Sequence, residues 1–234
     1  MKREDNMSET LSKKLKSIDE AMGMIKSGSS IMISGFGTVG DPKQLVDALT
    51  KLSIKDLTIV SNDLSSPGIG LGALLTAGMV KGLIGNYYNW NPDVADAYNA
   101  GKIDVTLVPQ GSLAESIRAA GAGIPAFYTP TSVGTLLSAK SNLNKKEKEE
   151  REFNGRKYVL QESVKADVAL ISAHKADTLG NLVYYKTARN FNPLMAMAAD
   201  LVIVEVGEIV PAGSLDPENI MTPHIFVDVL VQRR

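Results

Sequence analysis

Three glycines lie within the nine residues Ser34–Pro42, which read SGFGTVGDP. The apolar run Ile31-Met32-Ile33 leads into them and the string KQLVDAL follows, so the expected order is strand, glycine-rich turn, helix. Gly35, Gly37 and Gly40 permit positive φ and close approach of a ligand. Asp41 suits an N-cap and Pro42 the first helical turn. N–H groups left free at such a helix start can hold a phosphate or a carboxylate. No Lys-Ser/Thr pair follows the last glycine, so this is not a P-loop. An empty tight turn would use the same glycines.

Two carboxamides take comparable places. Gln110 follows the strand-like Asp104–Val108 and precedes a helical pattern at Ser112–Ala120, and Asn62 follows the strand-like Leu57–Val60. The carboxyl ends of parallel strands face ligands. An uncharged amide donates two hydrogen bonds at any working pH. Gln110 therefore reads either as a ligand donor or as a tie for its own loop. Asp63 lies 23 residues beyond Gly40 and supplies the acidic position of a dinucleotide-binding unit, a third way to read the glycines.

The remaining titratable residues have plainer readings. Glu115 and Arg118 are spaced for an ion pair on a helix. Glu205 reads as facing a site, an interface or a helix cap. His174 and Lys175 open a loop. Lys186 and Arg189 either attract a phosphate or pair on the surface. Tyr87, Tyr88 and Trp90 suit an interface between protein chains, where aromatic residues concentrate.

These residues need a scaffold, and 234 residues with 44% hydrophobic content can build one. The 25 basic and 26 acidic residues balance, which argues against general nucleic-acid or membrane binding. The chain has no cysteine and only two histidines, His174 and His224, so thiolate chemistry is excluded and a histidine zinc site is not expected. Residues 1–20 are polar and charged without a secretory apolar core, so a soluble cytoplasmic protein is expected.

Helices are expected at about Ile18–Ser27, with Ser17 and Glu20 at capping-box spacing, and at Pro42–Leu52, Ile69–Ala77, Asn91–Ala100, Ser112–Ala120 and Pro193–Ala199. Strands are expected at Ile31–Ile33, Leu57–Val60, Gly82–Gly85, Asp104–Val108, Val168–Ser172, Leu201–Val206 and Ile225–Leu230. Asn154-Gly155 marks a hairpin. The charge run Ser141–Glu152 reads as a solvated loop or helix face. Short apolar strands alternating with helices imply an α/β fold, a largely parallel sheet with helices on both faces, in one compact domain.

Four blocks in order, SGFGTVGDP, TIVSND (Thr58–Asp63), VPQGSLAESIRAAGAGIPAFYTPTSVGTLL (Val108–Leu137) and ADTLGNLVYYKTARNFNP (Ala176–Pro193), resemble the α subunits of family I coenzyme A transferases. The likeness is greatest to the short-chain acetate, acetoacetate and butyrate types. Ser34 departs from the pattern, which has a second glycine there.

The resemblance implies a CoA-transferase α-subunit domain over residues 17–234, with residues 1–16 as a flexible extension. It implies no permanently bound cofactor, with coenzyme A as substrate and covalent intermediate. Ser34, Gly35, Phe36, Gly37, Thr38, Val39, Gly40 and Asn62 are then expected to contact the coenzyme A substrate, and Gln110 to support a thioester oxyanion. The family's nucleophilic glutamate sits in a Ser-Glu-Asn-Gly segment of the β half. The nearest string here, Pro217-Glu218-Asn219-Ile220, lacks both the serine and the glycine, and the chain ends at Arg234 where a fused enzyme would continue. A separate β subunit in an α2β2 assembly is therefore expected. The same architecture also serves ligand-sensing and sugar-phosphate-binding modules, the alternative function.

Overall fold

The computed structural model describes residues 14–141 and 146–234. Helix α1 (Ile18–Met22) precedes β1 (Ser30–Ile33). The chain then alternates through α2 (Lys43–Leu49), β2 (Leu57–Val60), α3 (Leu71–Thr76), β3 (Val80–Gly85), α4 (Pro92–Asn99) and β4 (Asp104–Leu107). Helix α5 (Gln110–Gly121) leads to β5 (Ala126–Thr129), β6 (Glu150–Phe153) and β7 (Arg156–Glu162), a separate small antiparallel sheet. The last part holds β8 (Ala166–Asp177), β9 (Leu182–Val183), α6 (Asn192–Met197), β10 (Ala199–Val210) and β11 (Val229–Gln232).

The main sheet runs β11-β10-β8-β1-β2-β3-β4, parallel throughout except for β9, which pairs antiparallel with β8. The chain lays β1 to β4 outward in one direction, then returns to the other flank of β1. Strand order thus reverses between β1 and β8. In open parallel sheets that reversal opens a crevice at the carboxyl ends of the strands.

Both faces are covered, as the unbroken apolar strands imply. Side chains alternate across the sheet. Ile31, Ile33, Ile59, Leu170 and Ile203 pack with Leu45, Leu49, Leu74 and Val94 from α2, α3 and α4. Met32, Val60, Ala169, Ile171 and Val204 pack on the opposite face with Leu113, Ile117 and Met195 from α5 and α6. Each fully buried side chain of this size contributes roughly 1.5–3 kcal/mol, which pins the register of the strands that carry the site.

Several boundaries differ from expectation. Helix α1 has its capping box between Ser17 and Glu20, but ends at Met22. Two tight turns, Met24 N–H to the Ala21 carbonyl and Ile25 N–H to the Met22 carbonyl, then swing Ile25 into the core. The stretch expected as a strand at Ile225–Leu230 begins as a 3-10 turn, His224–Phe226. There the Val227 N–H closes on the His224 carbonyl, and β11 starts only at Val229.

Strands β8 and β10 are twelve residues each, far longer than their apolar cores. They pair from Ala166 and Ala199 to Asp177 and Val210, and a 2.7 Å Lys175–Glu208 ion pair bridges the polar extension. His174 and Lys175 therefore lie on a strand, not in a loop. The expected hairpin stands at Asn154-Gly155, with φ of 50° and 74°. Residues 142–145 of the charge run, and most of the expected extension at 1–16, fall outside the described residues. The end of that run, from Glu150 to Glu152, lies in the exposed strand β6 rather than in a loop or helix. Among the described residues no helix is long and apolar enough to cross a membrane, and no cluster of three or more potential ligands could hold a metal ion.

Candidate active site

Strand β1 delivers the glycine segment to the carboxyl edge of the sheet at the reversal of strand order. The Phe36 N–H bonds the Val39 carbonyl at 3.1 Å and the Val39 N–H returns to Phe36 at 3.2 Å, leaving Gly37-Thr38 as the tip. Gly37 has φ of 58°, and a Cβ there would meet nothing within 4 Å. Gly40 needs to be glycine for another reason: its φ is 76° and a Cβ would lie 2.4 Å from the Ala188 carbonyl oxygen.

The tip is tethered by Asp63. The Gly37 N–H donates to Asp63 Oδ2 at 2.9 Å, Asn62 Nδ2 donates to the same oxygen at 3.1 Å, and the Ser65 N–H bonds Oδ1 at 3.1 Å. Asn86 Nδ2 in turn donates to Asn62 Oδ1 at 3.3 Å. The structure places Asn62, one of the expected ligand contacts, in this network at 3% exposure. Asp63, the acid that fitted a dinucleotide reading, is a strut for the loop.

The base of the loop is held by different groups. Buried Ser34 donates its hydroxyl to the Gly40 carbonyl at 3.2 Å, so the departure from glycine forms a clasp. From the segment before α6, Asn190 Nδ2 donates to the Val39 carbonyl at 2.8 Å. Asn192 Nδ2 donates to the carbonyls of Gly40 and Ala188 at 3.1 and 2.9 Å. Asn192 Oδ1 accepts the Ser172 N–H at 2.7 Å, tying the loop to β8.

The start of α2 corrects two expectations. Asp41 is not the N-cap; Pro42 holds that place and gives no side-chain bond. Glu205 of β10 does the capping instead, accepting the N–H groups of Gln44 and Leu45 at 2.7 and 3.2 Å through Oε2. Its Oε1 accepts Arg233 Nε at 2.7 Å, and Arg233 Nη2 reaches Ser172 Oγ at 2.9 Å. Two of the helix donors expected to hold a ligand anion are thus occupied by a buried carboxylate of the protein. The amides of Gly35, Thr38 and Gly40 have no hydrogen-bond acceptor among the described residues. They are the donors the segment has left to offer.

A cleft of about 470 Å³ opens beside the loop, bounded by Thr38, Gly40, Asp41, Ser172, His174, Tyr185, Glu205 and Arg233. Burial pushes the Asp41 carboxyl above the usual aspartate range and the nearby Glu205 charge adds to this, while its own backbone N–H, Lys43 and Arg233 oppose it. The His174 and Tyr185 rings lie 5.3 Å apart. Lys186 Nζ sits 5.0 Å from the Tyr185 ring centre, and Arg189 Nη1 is 3.7 Å from Met221 Sδ. Glu115 is paired with Arg118 at 2.7 Å, as its spacing implied.

Gln110 is the first residue of α5, at the end of β4, with its side chain exposed and no hydrogen bond from it among the described residues. It is not tied to its own loop. Strand β4 lies three strands from β1, roughly 14 Å of sheet at the usual spacing. The Gly37–Asp63 bond leans the loop across β2 and shortens that span. Of the aromatic trio, Tyr87 and Trp90 are exposed and packed edge to face at 5.1 Å. Tyr88 is buried instead, its hydroxyl without a partner among the described residues.

Asn86, Asn190, Asn192 and Arg233 were not singled out from the sequence. RNFNP carries an Asn-Pro pair of the kind that opens a helix, but Phe191 is the N-cap of α6 without a side-chain bond, and both asparagine amides reach the glycine loop instead. Its partners in the glycine loop lie in a distant part of the chain and carry no local mark.

The chain thus has a parallel α/β sheet, a loop with unpaired amides at the reversal of strand order and a carboxamide without a partner among the described residues at the same carboxyl edge, where open sheets of this class bind ligands. The chain belongs to the coenzyme A transferase family, whose model matches residues 15–233. It is 48% identical over 217 residues to the A-type chain of the succinyl-CoA:3-ketoacid coenzyme A transferase of Helicobacter pylori strain J99, covering 93% of this chain and 90% of that one. It is 48% identical over 223 residues to the A-type chain of the 3-oxoadipate CoA-transferase of Pseudomonas putida, covering 94% of each. Among solved structures, the acyl-CoA transferase YdiF of Escherichia coli O157:H7, in its thioester complex with CoA, superposes with a TM-score of 0.84 at 22% identity. The match covers 94% of this chain and 47% of YdiF, about half its length, and speaks to the fold alone. The chain is thus a CoA-transferase α subunit, with the mostly parallel α/β fold expected of it.

Proposed function

We propose that this chain is the α subunit of a heteromeric enzyme that moves coenzyme A between a short-chain acyl-CoA and a carboxylic acid, with a 3-oxo acid of the acetoacetate type as one of the pair. The names of the relatives support the 3-oxo acid. The nucleophile is a glutamate of the partner subunit. Its carboxylate oxygen attacks the thioester carbon and the C–S bond breaks, leaving an acyl-glutamyl anhydride and CoA thiolate. The thiolate then attacks the glutamyl carbonyl and releases the first acid as its carboxylate. The acceptor carboxylate reverses the sequence on the resulting glutamyl-CoA thioester, so kinetics are ping-pong.

One observation supports the division of labour: two of the carboxylates beside the loop, Asp63 and Glu205, are already committed, and burial favours the protonated, non-nucleophilic form of the third, Asp41. Asp63 accepts three hydrogen bonds, and Glu205 accepts two backbone N–H groups and an arginine. Such bonds occupy the lone pairs a nucleophile needs. What the chain contributes is donors: the loop amides and Gln110, aimed at oxygens that gain charge in each addition. Phe36, Val39, Tyr87, Trp90 and Tyr185 expose apolar surface along the same edge, which suits a partner chain seated over the site.

The test uses succinyl-CoA and acetoacetate with the purified chain, alone and mixed with a β chain carrying the Ser-Glu-Asn-Gly segment. Turnover is expected only in the mixture. Acetoacetyl-CoA formed by the chain alone would overturn the assignment of the nucleophile.

A further inference from the structure

We infer that Asn190 and Asn192 are positioning residues for the reaction, which aim the Gly40 N–H at the substrate by pinning the peptide groups on either side of it. The inference rests on the CoA-transferase reading above.

The geometry is that of the planar trans peptide. Its C=O and N–H point in opposite directions, and the chain has no cis bond among the described residues. The Val39 carbonyl accepts Asn190 Nδ2 at 2.8 Å from the α6 side, beside the Phe36 N–H at 3.1 Å within the loop, so the Gly40 N–H of the same peptide faces away from Asn190. The next carbonyl, that of Gly40, is held on the α6 side by Asn192 Nδ2 at 3.1 Å and by the Ser34 hydroxyl at 3.2 Å. Two consecutive carbonyls pulled to one side leave little rotation to the residue between them. Glycine is otherwise the freest residue in the chain. The Gly40 N–H finds no acceptor among the described residues, and Gly40 lines the cleft.

The asparagines are themselves fixed. Asn190 Oδ1 accepts the Phe191 N–H at 2.7 Å, Asn192 Oδ1 accepts the Ser172 N–H at 2.7 Å, and Asn192 is fully buried. Each amide is therefore oriented with its NH2 toward the loop. A donor set in advance costs no reorganisation when charge develops on the thioester oxygen, which is where such groups act.

The decisive variant is Asn190→Asp, because Asn190 is only half-buried. The aspartate keeps the shape and the acceptor for Phe191 but presents an acceptor, not a donor, to the Val39 carbonyl. In the reconstituted complex, with succinyl-CoA and acetoacetate, kcat is expected to fall at least about tenfold, since misplacing one group near the chemistry costs up to about a hundredfold. KM for succinyl-CoA and Tm should hardly move. Asn190→Ala should show the same split, with no rescue by the isosteric aspartate. Wild-type kcat in Asn190→Asp would overturn the inference, as would a loss of kcat matched by a fall in Tm or in assembly with the β chain, which marks a scaffold residue. A wild-type complex that transfers no CoA would instead overturn the functional reading, and this role with it.

Discussion

Gln110 and Asp41 show how differently two polar residues of one edge are used. Gln110 has no structural bond to lose, so Gln110→Ala should leave Tm unchanged in the complex and lower the maximal rate about a hundredfold, the usual cost of removing one oxyanion donor. An early-melting variant with normal rate would assign Gln110 to the scaffold. Asp41 is the opposite case. Its pKa is raised in the folded chain, chiefly by burial, so the native state holds the proton more tightly than the unfolded state does. Stability then falls as pH rises from the ordinary aspartate value through the raised one, and above it ionised Asp41 is a constant cost. Asp41→Asn should raise Tm at neutral pH, and the gain should vanish below the ordinary aspartate value. Melting curves across acid to neutral pH check the sign. At Ser34, restoring glycine removes the clasp on the Gly40 carbonyl, about 1 kcal/mol. Gly37→Val should be worse for activity, because valine resists φ of 58° at the tethered tip.

Among the elements, the capping of α2 by Glu205 ties parts of the chain 161 residues apart. Glu205→Ala removes a cap and strands Arg233, and should cost about 2 kcal/mol, or several degrees in Tm. Glu205→Gln can still accept the two N–H groups and should cost less. Thermal melts of the two variants check the order. Glu205 also marks how far the elements could be read in advance. Strands β1 and β2 were legible because short apolar runs sit between turn signals, and α4 because Asn91-Pro92 is a cap and first-turn pair, with Asn91 accepting the Asp93 N–H. The glycine turn was legible in place, but its ties to Asp63, Asn190 and Asn192 were not. A capping residue is sought in the few positions before a helix, whereas here it comes from a strand 161 residues away, in the Gln44–Glu205 bond. The lengths of β8 and β10 were hidden for the same reason. Their polar ends are strand because they pair with one another, and apolar periodicity does not register pairing.

For the whole molecule, the apolar edge and the commitment of Asp63 and Glu205 to the loop and to α2 point to an assembly with a second kind of chain. Two α with two β chains is the expected species, and light scattering of the co-expressed complex measures it. A lone αβ pair would contradict the tetramer and leave the pairing intact. Near-even net charge makes association at this edge depend on shape and apolar contact more than on long-range attraction, so raising salt should not dissociate the complex.

The placing of β8 beside β1 has a kinetic side. Ser30 and Asp167, which clamp the start of that strand pair, are 137 residues apart in the chain. On a ribosome, β1 to β4 are made long before their central neighbour exists, and β1 waits with one edge bare. Contacts this distant in sequence close a large loop before they gain anything, which makes such sheets slow to form. The crevice is the seam where the early and late halves of the chain meet. The candidate site therefore stays incomplete until almost all of the chain has been synthesised, since Glu205 and Arg233 bound the cleft beside the glycine loop.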